Sequence, residues 1–398
     1  MLLDVVLALE WESRTSHGVV RHRDGLFARA IDTARDVLPA TLAAQLPDAG
    51  MGDSVAMTVT AAMLTGDTSG RVIELPTTAL RNPHALGAAK TPHVGRFYPS
   101  TAFALPPEHQ ARRTIPLRYL GAESGMMRLD TSHPLTGHEL QLTATVIGQT
   151  DETDPDRPPV DWGRWLATGP GMQACWRGIA TDFIHDGAYA RADETEDSRF
   201  YGTPRITAHI DSRAQQVVGD YCAGFIPPDG HVLDLMSSSE SNLHPEQPFG
   251  SLTGLGMNAT EMAANDRLTN TVIADLNSDR SLPFGDARFD AAICTVSIDY
   301  LTDPIRVFGE VARVLRPGAP FAITFSNRWF PPKVTRLWTE LNAFEQIGLV
   351  VSYLDATGRF DTLETASFRG LPRPPEDPYA GQADESDPVF AVTGLTRR

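Results

Sequence analysis

The chain has 398 residues, enough for two domains and a sizeable core, and 41% of them are hydrophobic and 21% charged. Its formal net charge of −16 repels phosphate backbones and anionic membranes, and the basic stretches Arg21 to Arg23 and Arg112 with Arg113 are short, which argues against a nucleic-acid partner. No segment approaches the roughly 20 unbroken apolar residues of a membrane span. Cys175, Cys222 and Cys294 are too scattered for a disulfide framework or a zinc site, so no metal is expected and a reducing cytoplasm is.

The opening run MLLDVVLALEWESR carries acids where a secretion signal would carry a basic end, and it predicts a first strand. Residues 23–46 space Leu26, Ala30, Ile31, Ala34, Val37 and Leu38 as a helix would. Residues 54–60 (SVAMTVT), 71–75 (RVIEL) and 139–146 (ELQLTATV) alternate, which predicts strands with one buried face. These elements predict an α+β domain over residues 1–150. Residues 149–159 (QTDETDPDRPP) combine acids with prolines and no apolar side chain, the composition of a solvated connection. Residues 151–229 then form a linker and a cap, with helix-like stretches at 169–185 and 207–225.

From residue 230 to residue 398 short apolar runs alternate with helical stretches, which predicts an α/β domain with a parallel sheet. The runs are residues 231–236, 252–257, 271–276, 289–296, 321–325, 350–354 and 389–395. That makes seven predicted strands.

An ordered set of motifs lies on this frame: HVLDLMSSS, LTGLGMNATEM, TVIADLNSDRSLPFGDARFDAAICTVSIDYL and FGEVARVLRPGAPFAITFSNR. Together they resemble the class I S-adenosylmethionine-dependent methyltransferases, whose best-matched pieces here are Leu282-Pro283-Phe284, Phe289-Asp290 and Glu310-Val311 through Gly318. The resemblance covers roughly the last 170 residues and implies a Rossmann-like seven-stranded sheet that binds S-adenosylmethionine beyond the strand carboxyl ends. It implies cofactor contacts from Asp234, Met236, Ser237 and Ser238 on the first loop, and from Asp275, Leu276 and Asn277 after the third strand. Ser297 after the fourth strand completes the set.

Two positions depart from the family pattern. A glycine-rich loop is replaced by Met236-Ser237-Ser238-Ser239-Glu240, and the acid expected after the second strand is Gly256, followed by Met257 and Asn258. Asn258 or Glu261 is the candidate replacement for that acid. The phrases DLMSS, GLGMNA, DLN, TFSNRWFP and DPVFAVTG resemble a bacterial and plant methyltransferase-like group, which makes the missing glycines a habit of that group.

Methyl transfer is an in-line displacement, so an enzyme mainly orients the partners and excludes water, and a general base is optional. The candidate catalytic residues are His209, Asp299, Tyr300 and Asn327, with Arg328, Tyr201, Arg205 and Asp186 as residues able to close over the site. Each has an ordinary reading: His209 as helix packing, Asp299 as a helix cap, Asp275 as a turn residue, and Trp329 and Phe330 as packing. Cys294, in an apolar strand, reads as core.

In the first half, residues 38–60 (LPATLAAQLPDAGMGDSVAMTVT) and 130–147 (DTSHPLTGHELQLTATVI) resemble FKBP-type peptidyl-prolyl isomerases of the SlyD-like subgroup. Gly52-Asp53 and His133-Pro134-Leu135 with Gly137 carry that match. Phe27, Phe97, Tyr98 and Phe103 are the few aromatics available for a proline cradle. The whole reads as a methyltransferase acting on a small-molecule nucleophile such as a thiol or hydroxyl. A protein acceptor and a homodimer stay open, and the alternative is a non-catalytic protein whose FKBP-like half works as isomerase or chaperone.

Overall fold

The computed structural model describes residues 2–68, 70–87, 90–107, 116–150, 156–279 and 281–398. Arg112, Arg113 and residues 151–155 of the expected linker lie outside the described residues. The chain divides into two compact units whose pieces interleave along the sequence: residues 1–16, 28–188 and 340–352 form the first, and residues 17–27, 189–339 and 353–398 the second. Reading in chain order had placed contiguous segments 1–150, 151–229 and 230–398. The exchanged pieces are a strand near the start and half of a helix near the end. Among the described residues no helix is long and apolar enough to cross a membrane.

In the first unit, strand β1 (Leu2–Arg14) pairs antiparallel with β8 (Leu140–Thr150), which pairs antiparallel with β3 (Ser54–Val59). Strands β4 (Val72–Pro76), β5 (Phe97–Tyr98), β6 (Leu117–Glu123) and β7 (Met126–Asp130) make a second antiparallel sheet in the order β4-β7-β6-β5. It closes over Leu86, Tyr98, Ala102, Phe103, Leu117 and Leu129. Short helices α1 (Ala40–Gln45), α2 (Ala61–Thr65) and α3 (Trp162–Ala167) connect these parts. The helix expected over residues 169–185 is a chain of turns instead. Gly169, Gly171 and Gly178 hold φ near +102°, +95° and +78° there. A Cβ on Gly171 would lie 2.6 Å from the Pro134 carbonyl carbon, so close backbone packing chose the turn.

The expected helix over residues 23–46 is also overturned, because strand β2 (Val19–Ile31) runs through it. Its inward positions include His22 and Asp24, whose polarity hid the two-residue period. They are buried because β14 (Phe360–Arg369) runs parallel alongside: His22 Nδ1 lies 2.7 Å from Thr365 Oγ1, and Ser367 Oγ donates to Asp24 Oδ1 at 3.0 Å.

The second unit is a mostly parallel sheet of β9 (His231–Leu235), β10 (Ser251–Gly256), β11 (Asn270–Ile273), β12 (Ala291–Thr295), β13 (Pro320–Phe325), β14 and β15 (Val389–Thr396). The order is β11-β10-β9-β12-β13-β15-β14-β2, with β15 antiparallel to both neighbours. After β9 the chain moves to one side, through β10 and β11, and then crosses back to β12. This reversal opens a crevice beyond the strand ends, where an open α/β sheet holds its ligand.

Helix α5 (Ser212–Ala223) covers one face, its Ala214, Val218 and Cys222 packing on Val232, Leu252, Ile293 and Val389. Asp211 caps it by accepting from the Ala214 amide at 2.9 Å. On α7 (Pro304–Val314) the buried residues Val307, Phe308, Val311 and Val314 recur at helical spacing. Asp303 caps the helix and Pro304 occupies the first turn.

Residues 350–354 were expected as a strand but lie inside helix α8 (Ala343–Thr357). A five-residue apolar run does not by itself distinguish a strand from a buried helix. The strand in that part of the chain is β14, whose alternation is broken by a register shift between Asp361 and Glu364.

Candidate functional site

A cavity of about 430 Å³ opens at the carboxyl ends of β9, β10, β11, β12 and β13. Short helices α4 (Asp197–Tyr201) and α6 (Ala259–Ala263), with the residues after α4, complete its walls. Its size is within the range of small-molecule sites, roughly 300–1,000 Å³.

The loop after β9 does with serine and methionine what glycine does elsewhere. Met236 adopts φ +61°, and the loop folds back so that the Ser237 amide donates to the Leu255 carbonyl at 2.8 Å. A Cβ on Gly256 would sit 2.1 Å from the Ser237 carbonyl oxygen, so the glycine after β10 exists to let this loop pass. Two further cavity residues, Asn242 and Val296, hold φ of +52° and +44°. For a β-branched valine this is a strained conformation of the kind that concentrates at functional sites.

Beneath the loop, Asp234 accepts from Ser237 Oγ and Ser241 Oγ, each at 2.7 Å. Its carboxyl is buried and does not line the cavity, contrary to the expectation that it faces the ligand. Burial pushes its pKa up to about 6, against the two hydroxyl donors that pull it down. Ser238, which does line the cavity, donates to Glu261 Oε2 at 2.7 Å, and the Arg205 amide donates to Glu261 Oε1 at 2.7 Å. Asn258 caps α6 through Oδ1 and donates to the Tyr201 carbonyl at 2.8 Å, so its amide is already committed.

After β11, Asp275 and Leu276 line the cavity, with Asp275 Oδ1 accepting from the Asn277 amide at 2.9 Å. The side chain of Asn277 is a brace. It donates to Asp197 Oδ2 at 2.7 Å and to the Tyr300 carbonyl at 3.0 Å, and it accepts from Thr302. Asp197, a cavity residue that sequence reasoning passed over, is held further by Arg191 at 2.7 Å and by the fully buried Lys333 at 3.1 Å. Those cations and the Asn277 amide hold its carboxyl below the usual range against the opposing effect of burial. Glu240 was likewise missed, since loop acids carry no periodicity.

The remaining wall is aromatic. Tyr300 and Phe330 stack with centroids 6.0 Å apart, His209 meets Phe330 edge-on at 5.4 Å, and Tyr201 meets Tyr300 at 6.5 Å. Tyr300 Oη accepts from the Phe330 amide at 2.8 Å, and Ser297 Oγ donates to the Thr295 carbonyl at 2.9 Å. Met257, Asn327 and Arg328 stand at the same cavity. Burial drives His209 below its ordinary pKa despite Glu261 and Glu240 nearby, with Arg205 adding to the depression, so its imidazole is neutral at pH 7. Asp299 is a second correction. Its carboxyl is buried behind the wall rather than in the cavity, Oδ2 has no hydrogen-bond partner, and burial lifts its pKa to about 8. Asp186 belongs to the other unit.

Residues 242–323 match the family model described as a methyltransferase domain. The C-terminal half carries a class I S-adenosylmethionine-dependent methyltransferase domain. Curated relatives of this domain include a sterol 4-C-methyltransferase, strm-1, of Caenorhabditis elegans, 28% identical over an alignment of 176 residues, with 35% of this chain and 51% of that protein covered. The O-methyltransferase resE of Aspergillus sclerotiorum is 25% identical over an alignment of 153 residues, with 36% of this chain and 54% of that protein covered. The chain thus spans about half the length of these curated relatives. Among solved structures, the YcgJ protein from Bacillus subtilis is similar at 13% identity, with 47% of this chain and 99% of that chain covered and a TM-score of 0.35.

The residues present in the methyltransferase domain fit its cofactor. With Gly256 making room for the Ser237 carbonyl, the Met236 to Ser238 backbone lines the cavity and would hold the methionine part, while Asp275 with Leu276 would hold the adenine. Among charged lining residues, Asp197, Glu240, Glu261 and Asp275 outnumber Arg205 and Arg328, which suits a positive sulfonium.

Several of the domain's sequence motifs prove to be scaffold. The Leu282 amide donates to Glu310 Oε2 at 2.9 Å, while Arg313 donates to the carbonyls of Phe284 and Leu282 at 2.9 and 3.1 Å. The LPF and EVARVL segments are therefore one brace. Asp290 accepts from the His231 amide at 2.9 Å and pairs with Arg316, which ties the last motif to the start of β9.

Proposed function

We propose that the protein is an S-adenosylmethionine-dependent methyltransferase that methylates a small-molecule nucleophile. The observation that carries this reading is the single cavity in which the Met236 to Ser238 loop, Asp275 and a neutral His209 meet. S-adenosylmethionine supplies an activated methyl group. The chain's own part is to orient the nucleophile, exclude water with the aromatic wall and accept a proton at His209. Calorimetric titration with S-adenosylmethionine and S-adenosylhomocysteine tests it. Binding in the micromolar range, about −8 kcal/mol, that Asp275→Ala weakens supports the reading, and no binding by folded protein sinks it.

For the first unit we propose a SlyD-like module that assists folding or presents substrate. Its two matching segments supply the adjacent antiparallel strands β3 and β8. Phe97, Tyr98 and Phe103 are 7%, 3% and 5% exposed, too buried to form an open proline cradle, which speaks against isomerase as the main activity. A reducing cytoplasm belongs to the same proposal, with Cys222 and Cys294 as buried free thiols.

A further inference from the structure

We propose that the acceptor taken by this cavity is a planar, uncharged phenol, and that His209 removes its hydroxyl proton. The inference rests on the methyltransferase reading above and adds the acceptor class.

Three observations converge on it. The first is shape: Tyr201, His209, Tyr300 and Phe330 lock one another through edge and stacking contacts of 5.4 to 6.5 Å, giving a pre-formed aromatic wall on one side of the cavity. Flat rings gain offset or edge contacts on such a wall that a puckered alicycle does not.

The second is charge. Arg205 lies over the rings of Phe200 and Phe330, at 4.4 and 5.5 Å, and donates to the Phe200 carbonyl at 3.2 Å. Arg328 sits 3.6 Å from Asp387 and over the Tyr379 ring at 4.8 Å. Both guanidiniums are thus engaged by the protein, and Glu240, Glu261 and Asp275 face the same space. An acceptor bearing a carboxylate or phosphate meets repulsion with no uncommitted cation to offset it.

The third is proton chemistry. His209 lines the cavity against Phe330, and the charged groups facing it are Glu261 on α6, Glu240 on the loop after β9 and Arg205. A neutral imidazole is needed by a nucleophile that must lose a proton it holds tightly, as a phenol does at about pKa 10 and a thiol at about 8.5 does less. Close by, the Tyr201 hydroxyl is shielded from solvent and has no hydrogen-bond partner. It lies in the interior with Asp197 and Asp299 near it, so what Tyr201 offers the cavity is its ring.

In the step itself, the phenolic proton passes to a ring nitrogen of His209 and the oxygen forms the new C–O bond to the methyl carbon. The electron pair of the broken C–S bond returns to sulfur as a neutral thioether, and the imidazolium releases its proton to water.

The test uses the full chain and two alcohols of similar size, 2-naphthol and trans-2-decalol, titrated into protein saturated with S-adenosylhomocysteine. The expected result is that 2-naphthol binds about tenfold more tightly, and that Phe330→Leu cuts that preference to about threefold or less. His209→Gln is expected to keep S-adenosylhomocysteine binding, which also reports its folding, while methyl transfer at saturating 2-naphthol falls about 10²- to 10⁴-fold. Equal binding of the two alcohols, or wild-type transfer by His209→Gln, overturns the inference and leaves the methyltransferase reading standing. Failure of S-adenosylhomocysteine to bind overturns both.

Discussion

The two sides of the cavity are built on different principles. On the side of the β9 and β10 ends, polar atoms are consumed by the protein: Ser237 and Ser241 by Asp234, Ser238 by Glu261, and Asn258 by a helix cap and the Tyr201 carbonyl. Main-chain shape is what remains to meet a ligand. On the other side, rings from α4 and from the segments after β12 and β13 form the wall, and the Tyr201 hydroxyl goes unpaired. The first side is rigid because it is satisfied, and the second is selective because it is not.

The largest effect that sharpens this contrast is His209→Gln. It is expected to lower turnover by about 10²- to 10⁴-fold with cofactor affinity unchanged. The wild-type rate should rise with pH along a limb centred below about 6.5, since His209 accepts a proton only when neutral and burial depresses its pKa. Rate–pH profiles of both proteins check this. A limb unchanged in the variant would assign the base elsewhere.

Gly256→Ala attacks the satisfied side. Its new Cβ would meet the Ser237 carbonyl, so the loop must move, and cofactor affinity is expected to drop by about 2–3 kcal/mol. The same substitution should leave the 2-naphthol to 2-decalol preference intact in whatever fraction still binds cofactor. Calorimetry on the variant reads both quantities.

Asp299 tests what lies behind the wall. Its pKa of about 8 in the fold exceeds the roughly 3.9 of an unfolded chain, so its contribution to stability is whole below about pH 4 and is lost as pH climbs through 8. Asp299→Asn is therefore expected to gain on wild type between pH 5 and pH 8, by on the order of 2 kcal/mol. Denaturation midpoints at the two pH values decide it, and parallel curves would mean the carboxyl is ionised in both states. The smallest effect is expected from Asp275→Ala, about tenfold in cofactor affinity, the scale of one hydrogen bond to a charged group.

Strand ends and the motifs attached to them were legible because they repeat short apolar runs between turns, and β9, β10, β12, β13 and β15 all fall on such runs. Strand β2 was illegible because its buried face carries His22 and Asp24. Strand β14 was hidden by a register shift, and α8 contains an apolar run that reads equally well as strand. Within the site, Asp275 and Leu276 follow from position after a strand. Asp197 and Glu240 do not, because they reach the cavity from a short helix and a loop with no spacing of their own.

By itself the sequence determined the α/β class of the second half, the place of the site beyond the strand ends, and the candidates around it. Those properties are local, set by periodicity and turn chemistry over a few residues. Only the tertiary structure decided that Asp234 and Asp299 turn away from the cavity, that Asn277 and the LPF and EVARVL segments serve as braces, and that Gly256 makes room for Ser237. A side chain's role depends on what faces it from segments tens or hundreds of residues away, and no pattern along one strand of sequence encodes that neighbour.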